Sequence, residues 1–146
     1  MIYLDASYIV KCYLHETGSR EVLALIQGSS GRSSALHGRA EFYSGVHRHL
    51  RERHISSQDA AAVWQQFERD ERLGLWHWLT LTEPVVRRAC NAFEKLDART
   101  FLRASDALHL ACAAENGFSE IYSSDRVLLG AAPHFGLTGI SVHRNR

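Results

Sequence analysis

The chain has 146 residues, 17 Lys plus Arg against 16 Asp plus Glu, and a composition 45% hydrophobic and 23% charged. That length suits one domain spanning residues 1–146 with a single core, and the near-neutral balance excludes a disordered acidic or basic chain. No stretch approaches the ~18 consecutive apolar residues of a membrane span, and Met1-Ile2-Tyr3-Leu4-Asp5 lacks the basic-then-apolar layout of a signal segment. A cytoplasmic protein with no membrane association is expected.

In chain order, Ile2-Tyr3-Leu4 is a short apolar run ending in Asp5-Ala6-Ser7, after which Tyr8, Ile9, Cys12 and Tyr13 continue at helical spacing. This predicts a strand-to-helix junction with Asp5 at the carboxyl end of the strand. A second helix is predicted over Glu21 to Gln27, stopped by Gly28, and a short strand over Ser33 to Leu36. The next helix runs from about Gly38 to Arg53, with Ala40, Tyr43, Val46 and Leu50 on one face. Ser56-Ser57-Gln58-Asp59 reads as a cap for a helix through Leu73, with Val63, Trp64 and Phe67 as its buried stripe.

Leu75 to Leu81 alternates as a strand, which puts one of Trp76 and Trp78 inside and the other outside. Thr82-Glu83-Pro84 starts a helix with Val85, Ala89, Cys90 and Phe93 inward. A polar loop over Asp97 to Phe101 feeds the helix of Ser105-Asp106-Ala107-Leu108-His109-Leu110-Ala111, whose first turn holds Asp106. Glu120 to Ser123 forms a strand, Asp125 opens a short helix, and Gly136 to Val142 returns as a last strand. Strands alternating with helices predict an α/β fold: a short, mainly parallel sheet covered by helices on both faces.

In such a sheet ligands bind at the carboxyl ends of the strands, where the strand order reverses. Asp5 and Asp125 follow predicted strands, while Glu41 and Asp106 lie early in helices, so all four can face one crevice. A tight carboxylate cluster persists only with a cation or with raised pKa values. Oxygen-only ligands, without a paired histidine or cysteine, indicate Mg²⁺ or Mn²⁺, the usual apparatus for hydrolysing phosphodiesters with activated water. The plain alternative is that these acids are ordinary helix caps.

The motifs Leu4-Asp5-Ala6-Ser7, Ala40-Glu41-Phe42, Arg103 to Ala111 and Ser123-Ser124-Asp125 occur in the order and rough spacing of the PIN-domain nucleases. The chain resembles the ribonuclease toxins of VapBC-type toxin–antitoxin pairs along essentially its whole length. The resemblance implies the three-layer PIN-like fold and an acidic quartet of Asp5, Glu41, Asp106 and Asp125 that holds Mg²⁺ or Mn²⁺ for RNA hydrolysis. It places Ser7 and Ser123 beside the metal, and it implies a cognate antitoxin, an RNA substrate and a homodimer. The helices around Val46 and Val63 are candidates for the dimer patch.

Other residues read more plainly. His109 is expected to be a packed, hydrogen-bonded histidine rather than a base. Of His37, His47, His49 and His54, only His47 and His54 approach a common helix face, and a solvated surface is expected. Arg39 and Arg48 are candidates for backbone-phosphate contacts near Glu41, with Arg51 and Arg53 either joining them or capping the helix end. The odd, scattered Cys12, Cys90 and Cys112 read as buried free thiols. A phosphoaspartyl or receiver chemistry is disfavoured, because Ser7 stands where a second acid is needed and no lysine follows Lys95. The competing non-enzymatic reading is an RNA-binding or scaffolding module of the same fold.

Overall fold

The computed structural model describes residues 1–142. Strand β1 (Ile2–Tyr3) leads into helix α1 (Ala6–Tyr13) and then α2 (Ser19–Gln27), β2 (Arg32–Ala35), α3 (Gly38–Arg51) and α4 (Ser57–Arg72). Strand β3 (Trp76–Leu79), α5 (Glu83–Lys95), α6 (Ala104–Glu115), β4 (Glu120–Tyr122) and α7 (Arg126–Ala131) follow. A 3₁₀ turn at Ala132–Phe135 precedes β5 (Thr138–Ile140). Every strand pairing is parallel: β1 with β2, β2 with β3, and β4 with β5. A parallel bridge between Leu4 and Tyr122 joins the two sets. The strand order is therefore β3-β2-β1-β4-β5, and it reverses between β1 and β4.

Successive side chains on β1 point to opposite faces. Tyr3 enters a core with Leu110, Ala111, Ile121 and Leu128 beneath α5, α6 and α7, while Leu4 enters one with Tyr8, Ile9, Phe42 and Phe67 beneath α1 to α4. Helix α6 is buried along most of its length, including Ala107, His109, Leu110, Ala111, Cys112 and Ala113. A helix with so little polar surface is stable only inside a layered fold. The expected α/β three-layer architecture is thus present.

Several local expectations fail for simple geometric reasons. Trp76 and Trp78 lie two residues apart on β3, so both face the same core, stacked with centroids 5.3 Å apart, and His77 takes the other face. On α5 the inward set is Val85, Ala89 and Ala92, leaving Cys90 and Phe93 exposed. On α3 the buried pair is Phe42 and Val46. Val46 is fully buried and supplies no dimer surface. Helix α3 also stops at Arg51, and Arg53 takes a left-handed φ of 60°.

Candidate metal and nucleic-acid site

At the point where strand order reverses, four helices present their N-termini to one edge. Asp5 caps α1 and Asp125 caps α7, while Glu41 and Asp106 lie in the first turns of α3 and α6. Unpaired N–H groups and the helix dipole favour an anion at each position. All four side chains line one cavity of about 630 Å³, together with Ser7, Arg48, Arg51, Arg103 and His109.

Asp5 is the most rigidly held. Its backbone N–H donates to the Tyr122 carbonyl across the strand reversal, at 3.1 Å. Its Oδ1 accepts from Ser7 Oγ (2.7 Å) and the Tyr8 N–H (3.2 Å), and its Oδ2 accepts from Ser123 Oγ (2.7 Å). Ser123 Oγ in turn accepts the Asp125 N–H at 2.8 Å, and Ser7 Oγ accepts the Ser124 N–H at 3.0 Å. The two hydroxyls expected beside the site therefore join Asp5 to the β4–α7 turn. Burial pushes the Asp5 carboxyl above its ordinary value, against the opposing effects of His109, Ser123, Ser7 and the Tyr8 N–H.

Asp106 is 6% exposed. Burial raises its pKa, Arg103 pulls it back, and the charges of Asp125 and Glu41 push it up again. Arg103, the residue before α6, donates from Nε to Asp106 Oδ2 at 2.8 Å and from Nη2 to Asp125 Oδ2. Asp125 Oδ1 meanwhile accepts the Val127 and Leu128 N–H groups. The role of Arg103 is not among those the sequence motifs suggest. The available signal was its position three residues before Asp106, where a long cation reaches back along the first helical turn.

Glu41 lies apart in character. Its Oε2 shares a 2.6 Å hydrogen bond with His109 Nε2 and is 3.7 Å from His37 Nε2. Burial pulls this carboxyl upward, but His109 and then His37 outweigh it, and the pKa falls below the ordinary value. His109 is packed and hydrogen-bonded, as expected, with Nδ1 2.9 Å from Tyr3 Oη. The histidine expectation on α3 is corrected: His37 packs on His109, and His49 rather than His47 meets His54.

The arginine candidates separate by helical phase. Arg48 and Arg51 follow Glu41 by seven and ten residues and line the cavity. Arg39 points to the other side of α3, where it pairs with Glu71 at 2.7 Å and lies over the Trp78 ring. Its expected place near the cavity is therefore not borne out.

A hard divalent cation suits this chemistry. The donors are carboxylate oxygens, two of them raised in pKa by burial, and the cavity already draws a guanidinium between Asp106 and Asp125. Asp5, Glu41, Asp106 and Asp125 are the residues that would hold it.

Solved structures from several organisms share the fold. FitAcB from Neisseria gonorrhoeae superposes with a TM-score of 0.77 at 17% identity, covering 97% of this chain and 98% of that one. Mycobacterium tuberculosis VapC20, a sarcin–ricin-loop-cleaving toxin, gives 0.67 at 17% identity over 90% and 95% of the two chains. VapBC2 from Rickettsia felis, bound to a DNA fragment from its promoter, gives 0.66 at 15% identity over 97% and 98%. No curated protein matches the sequence. The family model for the PIN domain matches residues 2–132, nearly the whole length of the chain. With its strand order, its layers and that match in agreement, this chain belongs to the PIN domain family.

Proposed function

We propose that this protein is an Mg²⁺- or Mn²⁺-dependent endoribonuclease, a one-domain cytoplasmic toxin of the VapBC type that forms a homodimer and is restrained by a cognate antitoxin. The observation that carries this reading is the meeting of Asp5, Glu41, Asp106 and Asp125 in one cavity, with Arg48 and Arg51 on its wall. The fold shared with VapC20, a sarcin–ricin-loop-cleaving toxin, supports the same class.

A divalent cation held by Asp5, Glu41, Asp106 and Asp125 would supply a more acidic water and neutralise charge gathering on the phosphoryl oxygens. The chain's own groups do the rest. Asp5 is held on both oxygens by Ser7 and Ser123 and cannot turn away from the cavity. Glu41 remains ionised at neutral pH, with Oε2 oriented by His109. Arg103, with a side chain 56% exposed, is accessible to exchange a carboxylate for a scissile phosphate. Arg48 and Arg51 then take flanking phosphates, a contact that positions RNA without reading its sequence. An antitoxin arginine or lysine entering the cavity would pair with the same carboxylates and block the cation.

One observation favours the competing reading of a non-catalytic RNA-binding module: Arg103 already neutralises two of the acids. Purified protein incubated with RNA decides between them. The nuclease reading expects cleavage that stops with chelator and returns with added Mn²⁺. RNA retention without cleavage under every metal condition would establish the binding module instead.

A further inference from the structure

Two imidazoles meet at the edge of the cavity, His109 on its wall and His37 packed behind it, and hydrolysis by an oxygen-held cation makes no use of them as ligands. His37 lies immediately before α3, and His109 is in the second turn of α6. Their ring centroids are 4.2 Å apart. Glu41 Oε2 sits between them, 2.6 Å from His109 Nε2 and 3.7 Å from His37 Nε2. One ligand atom from each of the three residues falls within a span of 4.8 Å. Among the described residues no other trio of His, Cys, Asp or Glu converges so closely, and the four carboxylates do not.

The surroundings are those of a built site. His109 is 1% exposed, and its Nδ1 meets Tyr3 Oη at 2.9 Å while that oxygen accepts the Ala35 N–H at 3.1 Å. A second partner on the far nitrogen fixes the ring and aims Nε2 at the ligand position, as it does for metal-binding histidines generally. His37 and Glu41 are four residues apart at the start of one helix, which puts both donors on one face. His37 Nε2 donates to the Ser105 carbonyl at 3.1 Å and Nδ1 is buried without a hydrogen-bond partner, so ligation through Nε2 would replace that hydrogen bond and move the ring proton to Nδ1. Gly38 allows the close approach: a Cβ there would lie 3.3 Å from His109 Cε1 and 2.8 Å from Ser34 Oγ.

Bonds of about 2.0–2.2 Å to nitrogen and oxygen put the ligand atoms of one ion about 3–4 Å apart. Of the distances from Glu41, 3.7 Å to His37 Nε2 lies within that range, and 2.6 Å to His109 Nε2 is a hydrogen-bond separation just below it that opens when a cation displaces the proton. Two imidazoles with one carboxylate select borderline transition metals over Mg²⁺ or Ca²⁺. We propose that His37, Glu41 and His109 form a binding site for a borderline divalent cation such as Zn²⁺, Co²⁺ or Ni²⁺, adjoining the oxygen-lined site and sharing Glu41 with it. Occupancy would draw Glu41 toward the nitrogen ligands, so that the cell's zinc-like metals and its Mg²⁺ act on the same carboxylate.

Co²⁺ added to the metal-free full-length protein provides the test, because its visible absorption reports nitrogen ligation. The site predicts a saturable band that Mg²⁺ in excess does not remove. His37→Ala and His109→Gln should each weaken Co²⁺ binding at least about ten-fold, whereas Asp106→Asn should keep the band. His37 is half-buried at a helix start, so His37→Ala leaves the core intact, and its melting curve verifies folding. If His109→Gln does not fold, His37→Ala alone decides. A band unchanged in folded His37→Ala, a band lost in Asp106→Asn, or no Co²⁺ binding at all would overturn the proposal. RNA cleavage is not the readout, so such a failure leaves the nuclease reading standing.

Discussion

Replacing Arg103 with Ala removes the positive charge that the chain itself places in the acidic cavity. The guanidinium contacts Asp106 at 2.8 Å and also pairs with Asp125, but its side chain is 56% exposed, so solvent screens both pairs. Screened pairs contribute roughly 0.2–1 kcal/mol each, and the two together about 0.5–2 kcal/mol. In a domain of this size about 1 kcal/mol moves the midpoint by roughly 2–4 °C. The metal-free variant should therefore melt a few degrees lower than the native chain. Its response to Mn²⁺ should be larger, because the cation no longer competes with the arginine. Relief of about 1.4 kcal/mol of competition tightens apparent affinity about ten-fold, and the folded state gains accordingly at fixed Mn²⁺. Scanning calorimetry over a Mn²⁺ series reads both effects. An unchanged metal-free midpoint with an equal or weaker Mn²⁺ response would refute the role of Arg103 as an internal counter-cation.

Opposite pH dependences are expected for two of the acids. The folded pKa of Asp5 is raised, so its contribution is complete below the unfolded value near 3.8 and is lost as pH rises through the folded value. Metal-free Asp5→Asn should consequently gain stability relative to the native chain as pH rises from 3.8 toward neutrality; a gain confined to lower pH would contradict this. The folded pKa of Glu41 is lowered, so its contribution is present above the unfolded value near 4.5 and is lost as pH falls through the folded value. Glu41→Gln should cost stability at pH 7, and denaturant midpoints should show that cost shrinking in acid. Thiol labelling at pH 8 should modify Cys90 first, because burial lifts Cys12 to about 12 and Cys112 to about 11. Fast labelling of Cys112 in the folded protein would show that α6 opens.

The sequence made the architecture readable where a signal was local. Asp5, Asp106 and Asp125 each follow a strand or start a helix, and their grouping follows from the reversal of strand order between β1 and β4. Ser7 and Ser123 are legible only through the family resemblance, and in the structure Ser7 donates to Asp5 while Ser123 accepts the Asp125 N–H. What escaped depends on distances between elements. His37 and His109 are separated by 72 positions in the chain (109 minus 37), and only the packing of α3 on α6 through Gly38 brings them to Glu41. The meeting of two histidines at Glu41 is therefore not legible in the sequence. Arg39 was misplaced by proximity in sequence to Glu41, since two positions on a helix point in nearly opposite directions. Cys90 was assigned inward by its apolar character, although one position beyond buried Ala89 the helix has already turned outward.

The central claim, that RNA is cleaved by a cation held on the carboxylates of this cavity, is tested most directly by comparing native protein and Asp106→Asn. The substitution keeps shape and one acceptor oxygen at the first turn of α6 while removing a negative ligand. Both proteins would be incubated with RNA across a Mn²⁺ titration, with folding verified by melting curves. The account expects native cleavage to rise with Mn²⁺ and to vanish with chelator, and Asp106→Asn to cleave roughly a hundred-fold or more slowly at every concentration, as expected when a charge-stabilising group of the transition state is lost. Equal rates in the two folded proteins, or cleavage indifferent to Mn²⁺, would contradict it.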